Sequence, residues 1–230
     1  MKRLFVAGDS FASLCRIQEP GNSWSEILAS KLEAELINLA RPGASNTAIA
    51  IQIDYITEKV DIDDYVVVFL TSHNRATLPN NTITTNKPLL ERFDVAPNQV
   101  PYSGIEYSNT KSLITSLFTD DSAHKETQEY YKKYFDPDLA YFTDRMIIAG
   151  AMKLLSDKND NFIVLSGGFK VGSSRLNLEL SANEIGLNEH HFINHTWSRM
   201  LGIGENADYV NHMNDVAHSY LASFLYKKIA

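Results

Sequence analysis

Apolar positions follow two rhythms along the chain. Lys2 to Ala7 in "KRLFVAGDSFASL", "YVVVFL" at 65–70 and "NFIVLSGG" at 161–168 are nearly continuous apolar runs, the pattern of strands covered on both faces. Glu35 to Leu39 is a shorter strand of the same set. Between these runs the apolar spacing lengthens to three and four. In "SWSEILASKLEAE", Ser23 and Glu26 stand three apart, as a capping box requires, ahead of Ile27, Leu28 and Leu32. In "ARPGASNTAIAIQIDYITEKV", Pro42 and Gly43 make a turn, and Ser45 or Asn46 caps a helix carrying Ile49, Ile53, Ile56 and Val60. The stretch "KETQEYYKKYFDPDLAYFTDRMIIAGAMKLLSD" predicts two helices, with Pro137 near the start of the second and Phe142, Met146, Ile147 and Leu154 on its core face. "NDVAHSYLASFLYKKI" closes the chain as an amphipathic helix.

Strands alternating with helices predict an α/β sandwich with a mainly parallel sheet. One stretch breaks the alternation. From about Pro79 to Asp121, through "LPNNTITTNKPLL" and "APNQVPYSG", the chain is polar and too long for an ordinary connection, which is the size of a lid or binding loop. We read 1–230 as a single domain with a lid or insertion over 79–159. The formal charge of −7, with acids and bases scattered, argues against nucleic acid or an anionic membrane surface as partner. Cys15 is the only cysteine, so no internal disulfide forms. Few apolar residues precede Asp9, and no stretch approaches membrane-spanning length. The expectation is a cytoplasmic protein with no membrane span.

The residues able to do chemistry stand at the strand ends. Gly8 lets the backbone leave the first strand sharply and delivers Asp9 and Ser10 at its carboxyl end, the edge where open parallel sheets bind ligands. Gly43 follows the second strand, Asn74 the third, and Asp215 and His218 begin the last helix. In a right-handed, doubly wound sheet the three strand-end loops open on one edge. That set has what acyl transfer requires. A serine hydroxyl is a weak nucleophile until a histidine takes its proton, and the histidine needs a carboxylate to fix its tautomer. Asp215 and His218, three apart, lie side by side on a helical first turn. The N–H groups of Ser10 and Gly43 and the Asn74 amide offer the fixed donors of an oxyanion hole.

"GDS" at Ser10, "ARPGASN" around Gly43, an asparagine after the third strand and "DVAH" near the C-terminus together resemble the four blocks of the SGNH, or GDSL-type, hydrolases. The resemblance covers the order and rough spacing of the blocks and leaves out about Pro79 to Asn159. It implies a three-layer sandwich on a flavodoxin-like sheet. It also implies Ser10 as nucleophile and first oxyanion donor, Gly43 and Asn74 as the other donors, His218 as base and Asp215 as its orienting partner, with no cofactor and no metal. The α/β-hydrolase elbow is a different arrangement, because "GDSFA" lacks the last glycine of G-x-S-x-G. The third block departs from the family's Gly-x-Asn-Asp. "LTSHNR" has Ser72 where the glycine would fall and Arg75 where the aspartate would, and an alternative register makes His73 the donor.

Other motifs have ordinary readings. His191 and His195 in "EHHFINH" are four apart, but no third metal ligand is evident and packed or solvated histidines explain them. "GGFKVGSS" lacks the phosphate-loop ending. Cys15 reads as a buried cysteine, and Tyr130, Tyr131, Tyr134 and Phe135 as helix packing rather than a sugar-binding wall. Asn80, Asn81, Thr82, Thr84, Thr85 and Asn86 in the long polar stretch suit a polar alcohol better than a long acyl chain. The expected activity is a serine esterase or deacylase acting on a short-chain acyl ester, a small molecule or an O-acetylated carbohydrate. Two alternatives stand beside it. One is a non-catalytic module of the same fold that binds a carbohydrate or acyl group, and the other is a flavodoxin-like nucleotide binder using "GDSFAS".

Overall fold

The computed structural model describes residues 1–14, 22–41, 44–71, 75–76, 105–106, 133–134, 136–166, 180–193 and 213–230. In chain order the elements are β1 (Arg3–Ala7), α1 (Trp24–Leu32), β2 (Glu35–Asn38), α2 (Asn46–Lys59), β3 (Tyr65–Leu70), β4 (Arg75–Ala76), β5 (Ile105–Glu106), α3 (Pro137–Ser156), β6 (Phe162–Ser166), β7 (Phe192–Ile193) and α4 (Asp215–Ile229). Five strands form one parallel sheet in the order β2-β1-β3-β6-β7. Counted within the sheet, that is the 2-1-3-4-5 order of flavodoxin-like folds, whose ligand crevice opens between the first and third strands. β4 and β5 pair antiparallel as a separate short ladder.

The strands alternate their side chains between two apolar layers. Phe5, Ala7, Val66, Val68 and Val164 meet Ile49, Ile53 and Ile56 of α2 and Ile148, Met152 and Leu155 of α3 on one face. Leu4, Val6, Val67, Phe69, Ile163 and Leu165 meet Trp24 and Leu28 of α1 and Leu221 and Leu225 of α4 on the other. The continuous apolar runs are what a sheet buried on both faces needs, and each large side chain so covered contributes about 1.5–3 kcal/mol. The result is the three-layer α/β sandwich expected from the sequence.

Helix starts follow local chemistry closely. The Ser23–Glu26 capping box closes on the first turn of α1. Ser45 rather than Asn46 caps α2, its side chain accepting from Ala48 N–H, and Pro137 opens α3 behind the Asp136 cap. The face of α3 is a correction. Phe142, Met146 and Leu154, expected in the core, are 51%, 55% and 52% exposed, while Asp144, Ile148, Met152 and Leu155 are buried and Ile147 is partly covered. Two apolar stripes overlap on this helix. The inward one contains an aspartate, which pattern reading assigns to solvent and which α2 here supplies with a partner. α3 also packs on α2 and the sheet although it lies within 79–159. Strand β7 was not expected, being only two residues long. Apart from β5, the polar stretch from about Pro79 to Asp121 lies outside the described residues, as does the first helix expected in 125–157 apart from Lys133 and Tyr134.

Candidate active site

Ser10 sits where the chain turns out of β1, at the carboxyl edge of the sheet beside the switch point between β1 and β3. Gly8 makes the turn possible: its φ is +155°, and a Cβ there would come within 2.8 Å of Ala12 Cβ and 2.9 Å of Phe69 Cβ. No larger residue fits without a shift of the backbone. Gly8 N–H donates to Gln52 Oε1 at 2.7 Å, and its carbonyl accepts from Gln52 Nε2 at 3.3 Å and from Arg41 N–H at 3.1 Å. Asp9 is fully buried. Its carboxylate accepts from Phe11 N–H at 3.0 Å and from the Thr71 hydroxyl at 2.8 Å, and its carbonyl accepts from Ala12 and Ser13 N–H at 3.2 and 3.0 Å. From the exit of β2, Asn38 donates its side-chain amide to Ala12 C=O at 2.8 Å. The half-buried serine therefore rides on a turn tied to β2, β3 and α2.

Asp215 and His218 occupy the first turn of α4, which Asn214 caps through Ala217 N–H at 2.9 Å. Asp215 is exposed and His218 half-buried. His218 Nδ1 accepts a hydrogen bond from the backbone N–H of Trp24, the first residue of α1, at 3.1 Å. Trp24 also donates its indole N–H to Phe11 C=O at 3.0 Å. One buried residue thus bridges the Ser10 turn and His218. Among the described residues no hydrogen bond joins any two of Ser10, Asp215 and His218. Gly43, His73 and Asn74 lie outside the described residues, although the chain is described on either side of each. Ala44 N–H donates to Arg41 C=O at 3.2 Å across Pro42 and Gly43, and Thr71 is held one residue before the third block begins.

The polar residues that organise this edge were not legible as such from the sequence. Asn46, read as a possible cap, instead pairs with Thr71, and Asp144 reaches it from α3. Burial pushes the Asp144 carboxyl up to about 7, with the Asn46 hydrogen bond only partly opposing it. The available signals were an asparagine beside a better cap and an acid within an apolar stripe. His191, weighed as a metal ligand, stacks on Phe162 with centroids 4.4 Å apart, and its Nδ1 lies 2.9 Å from the Phe162 carbonyl. His195, Cys15, "GGFKVGSS", Tyr130, Tyr131 and Phe135 lie outside the described residues. Among the described residues no three His, Cys, Asp or Glu side chains group as a metal site, and no helix is long and apolar enough to cross a membrane.

No protein-family model matches the sequence, and no curated protein does. Solved structures do. The chain is similar to the psychrotrophic esterase EstA from Pseudoalteromonas sp., in a structure inhibited by monoethylphosphonate, with a TM-score of 0.52 and 11% identity over 100% of this chain and 97% of that one. It is similar to a member of the lipolytic protein G-D-S-L family from Veillonella parvula DSM 2008, with a TM-score of 0.50 and 13% identity over 100% and 98%. A carbohydrate esterase family 2 enzyme with a carbohydrate-binding domain, from Corynascus thermopiles, matches with a TM-score of 0.52 and 11% identity, covering 100% of this chain and 65% of that one. The chain has the SGNH, or GDSL-type, hydrolase fold.

Proposed function

We propose that this protein is a serine esterase or deacylase that works through an acyl-Ser10 intermediate. The observation that carries the reading is the braced turn that presents Ser10 at the carboxyl edge of the sheet, joined through Trp24 to a histidine on another element. In the proposed reaction Ser10 Oγ attacks the acyl carbonyl carbon as His218 takes the hydroxyl proton. The N–H groups of Ser10 and Gly43 and the Asn74 amide receive the negative charge that develops on the carbonyl oxygen. Collapse breaks the ester bond, His218 returns its proton to the departing alcohol, and water, deprotonated in turn by His218, releases the acid and restores Ser10.

The His218 contact sets a condition on this scheme. With Nδ1 accepting from Trp24, a neutral ring carries its proton on Nε2. Taking the Ser10 proton needs the other tautomer, with Nδ1–H turned to a carboxylate, for which Asp215 in the same turn is the candidate. The same contact favours a second reading, in which His218 is structural and the crevice binds a carbohydrate or acyl group without cleaving it.

Turnover of purified wild type and of Ser10→Ala and Asp215→Ala on acetyl, butyryl and long-chain acyl esters decides between them. The hydrolase reading expects acetyl and other short esters to be cleaved faster than long ones, loss of at least about a thousandfold in Ser10→Ala, and a milder loss in Asp215→Ala. Activity should rise with pH through the range where a histidine base gives up its proton. Equal turnover by wild type and Ser10→Ala would sink it. A preference for long chains would sink the substrate class alone.

A further inference from the structure

Helix α2 reaches the carboxyl edge of the sheet with two side-chain amides, and each grips the backbone of one strand exit. Gln52 accepts from Gly8 N–H and donates to Gly8 C=O. Asn46 does the same to Thr71, accepting from its N–H and donating to its carbonyl, both at 3.0 Å. Used this way, an amide side chain supplies the donor and acceptor that a neighbouring strand would have given. The second hydrogen of Asn46 Nδ2 goes to Asp144 Oδ2 at 2.7 Å. Among the described residues that is the one hydrogen bond the Asp144 carboxyl makes.

A carboxyl on the buried face of α3 is expensive where a leucine would pack for nothing. Its position explains what it adds. An asparagine amide has two faces of nearly equal shape, and only one orientation matches both Thr71 groups. An acceptor at Asp144 requires Nδ2 on its side and so leaves Oδ1 for the Thr71 N–H. Thr71 then passes the constraint on, because its hydroxyl donates to Asp9, the neighbour of Ser10, and its chain leads directly into "SHNR".

We propose that Asp144 is a positioning residue for the hydrolytic site: it orients the Asn46 amide, which holds Thr71 at the exit of β3 and, through the Thr71 hydroxyl, Asp9 beside Ser10. The proposal rests on the hydrolase reading above. It assigns no contact between Asp144 and substrate.

The test measures kcat and KM on a short acyl ester, together with hydrogen exchange at the Thr71 amide, in wild type, Asp144→Leu, Asp144→Asn and Asn46→Ala. Asp144→Leu is expected to lower kcat about 10- to 100-fold with KM within about threefold, because a misplaced donor is felt mainly in the transition state. Thr71 exchange should speed up about tenfold or more while Val67, mid-strand, stays protected. Asp144→Asn keeps an acceptor for Asn46 and should hold both readouts within about threefold of wild type. Asn46→Ala should behave like Asp144→Leu, and it keeps the proposal open to refutation if Asp144→Leu fails to fold. Unchanged kcat and Thr71 exchange in Asp144→Leu would overturn the proposal, and so would equal losses in Asp144→Asn and Asp144→Leu. A wild type with neither turnover nor a phosphonate adduct at Ser10 fails the hydrolase reading instead, and Thr71 exchange, which needs no turnover, tells the two failures apart.

Discussion

Asp64 and Asp144 are almost equally hidden from solvent, 3% and 5% exposed, yet the fold moves their carboxyl groups in opposite directions. Burial raises both. At the amino edge of the sheet Asp64 meets the Arg3 guanidinium, with Nε at 3.0 Å and Nη2 at 2.5 Å, and also the N–H groups of Arg3 and Asp61 at 2.8 and 2.9 Å. Those donors outweigh burial and hold it below the usual carboxylate range. At the carboxyl edge Asp144 receives one neutral amide, and burial prevails. Among the described residues no charged group contributes to its shift: Arg145 beside it and Glu184 on the neighbouring turn act on Tyr141 instead. The two edges are therefore closed by different means. The amino edge is closed by a paired charge, and at the carboxyl edge amide brackets from α2 fix the backbone of two strand exits.

Substitutions at the two edges should therefore fail differently. After Ser10 itself, the largest effect on rate should come from the third block, "LTSHNR". Asn74→Ala is expected to lower kcat about a hundred- to a thousandfold with little change in KM, and His73→Ala to do much less, in steady-state kinetics on a short acyl ester. The reverse ranking would make His73 the donor.

Next comes the pH dependence of stability. An acid whose pKa is higher folded than unfolded stabilises the fold fully below its unfolded value, near 4, and loses that contribution as pH rises toward its folded value of about 7. Asp144→Asn has no such loss. Chemical denaturation of the two proteins should therefore diverge between about pH 4 and 7, wild type losing on the order of 4 kcal/mol at most relative to the variant. Parallel curves would mean that Asp144 is ionised at little cost and that the contrast with Asp64 is false.

The smallest effect on rate should come from the amino edge. Arg3→Ala should cost about 1–3 kcal/mol of stability at neutral pH while leaving kcat within about twofold. Because Asp64 is held low, that cost should shrink as pH falls and the carboxyl takes up its proton. A large fall in kcat with a small fall in stability would show that the amino edge reaches the site after all.

The sequence displayed what depends on neighbours a few residues apart. The Ser23–Glu26 box, the Ile49–Ile53–Ile56 stripe and the three apolar strand runs are local signals, and each appears in the structure where it was expected. The strand ends that carry Ser10, and the helix start that carries Asp215 and His218, were legible for the same reason. What stayed hidden depends on tertiary partners. Nothing near Asp144 in the chain announces that Asn46, 98 residues away, will meet it, so the stripe through Phe142 and Met146 looked better than the one that is buried. Trp24 carries no signal in the sequence, because its two donors find Phe11 and His218 only once α1 and α4 share a face. β7 is too short for alternation to register, and it exists because β6 offers it an edge.

The account stands on Ser10 as an activated nucleophile, and covalent labelling tests that most directly. Wild type, Ser10→Ala and His218→Ala would be incubated with a fluorophosphonate, and intact mass and peptide mapping would follow the adduct over time. The expected result is a single adduct on wild type at Ser10, none at that position in Ser10→Ala, and labelling slowed at least about a hundredfold in His218→Ala. A wild type left unlabelled at Ser10, or a His218→Ala variant labelled as fast as wild type, would contradict it.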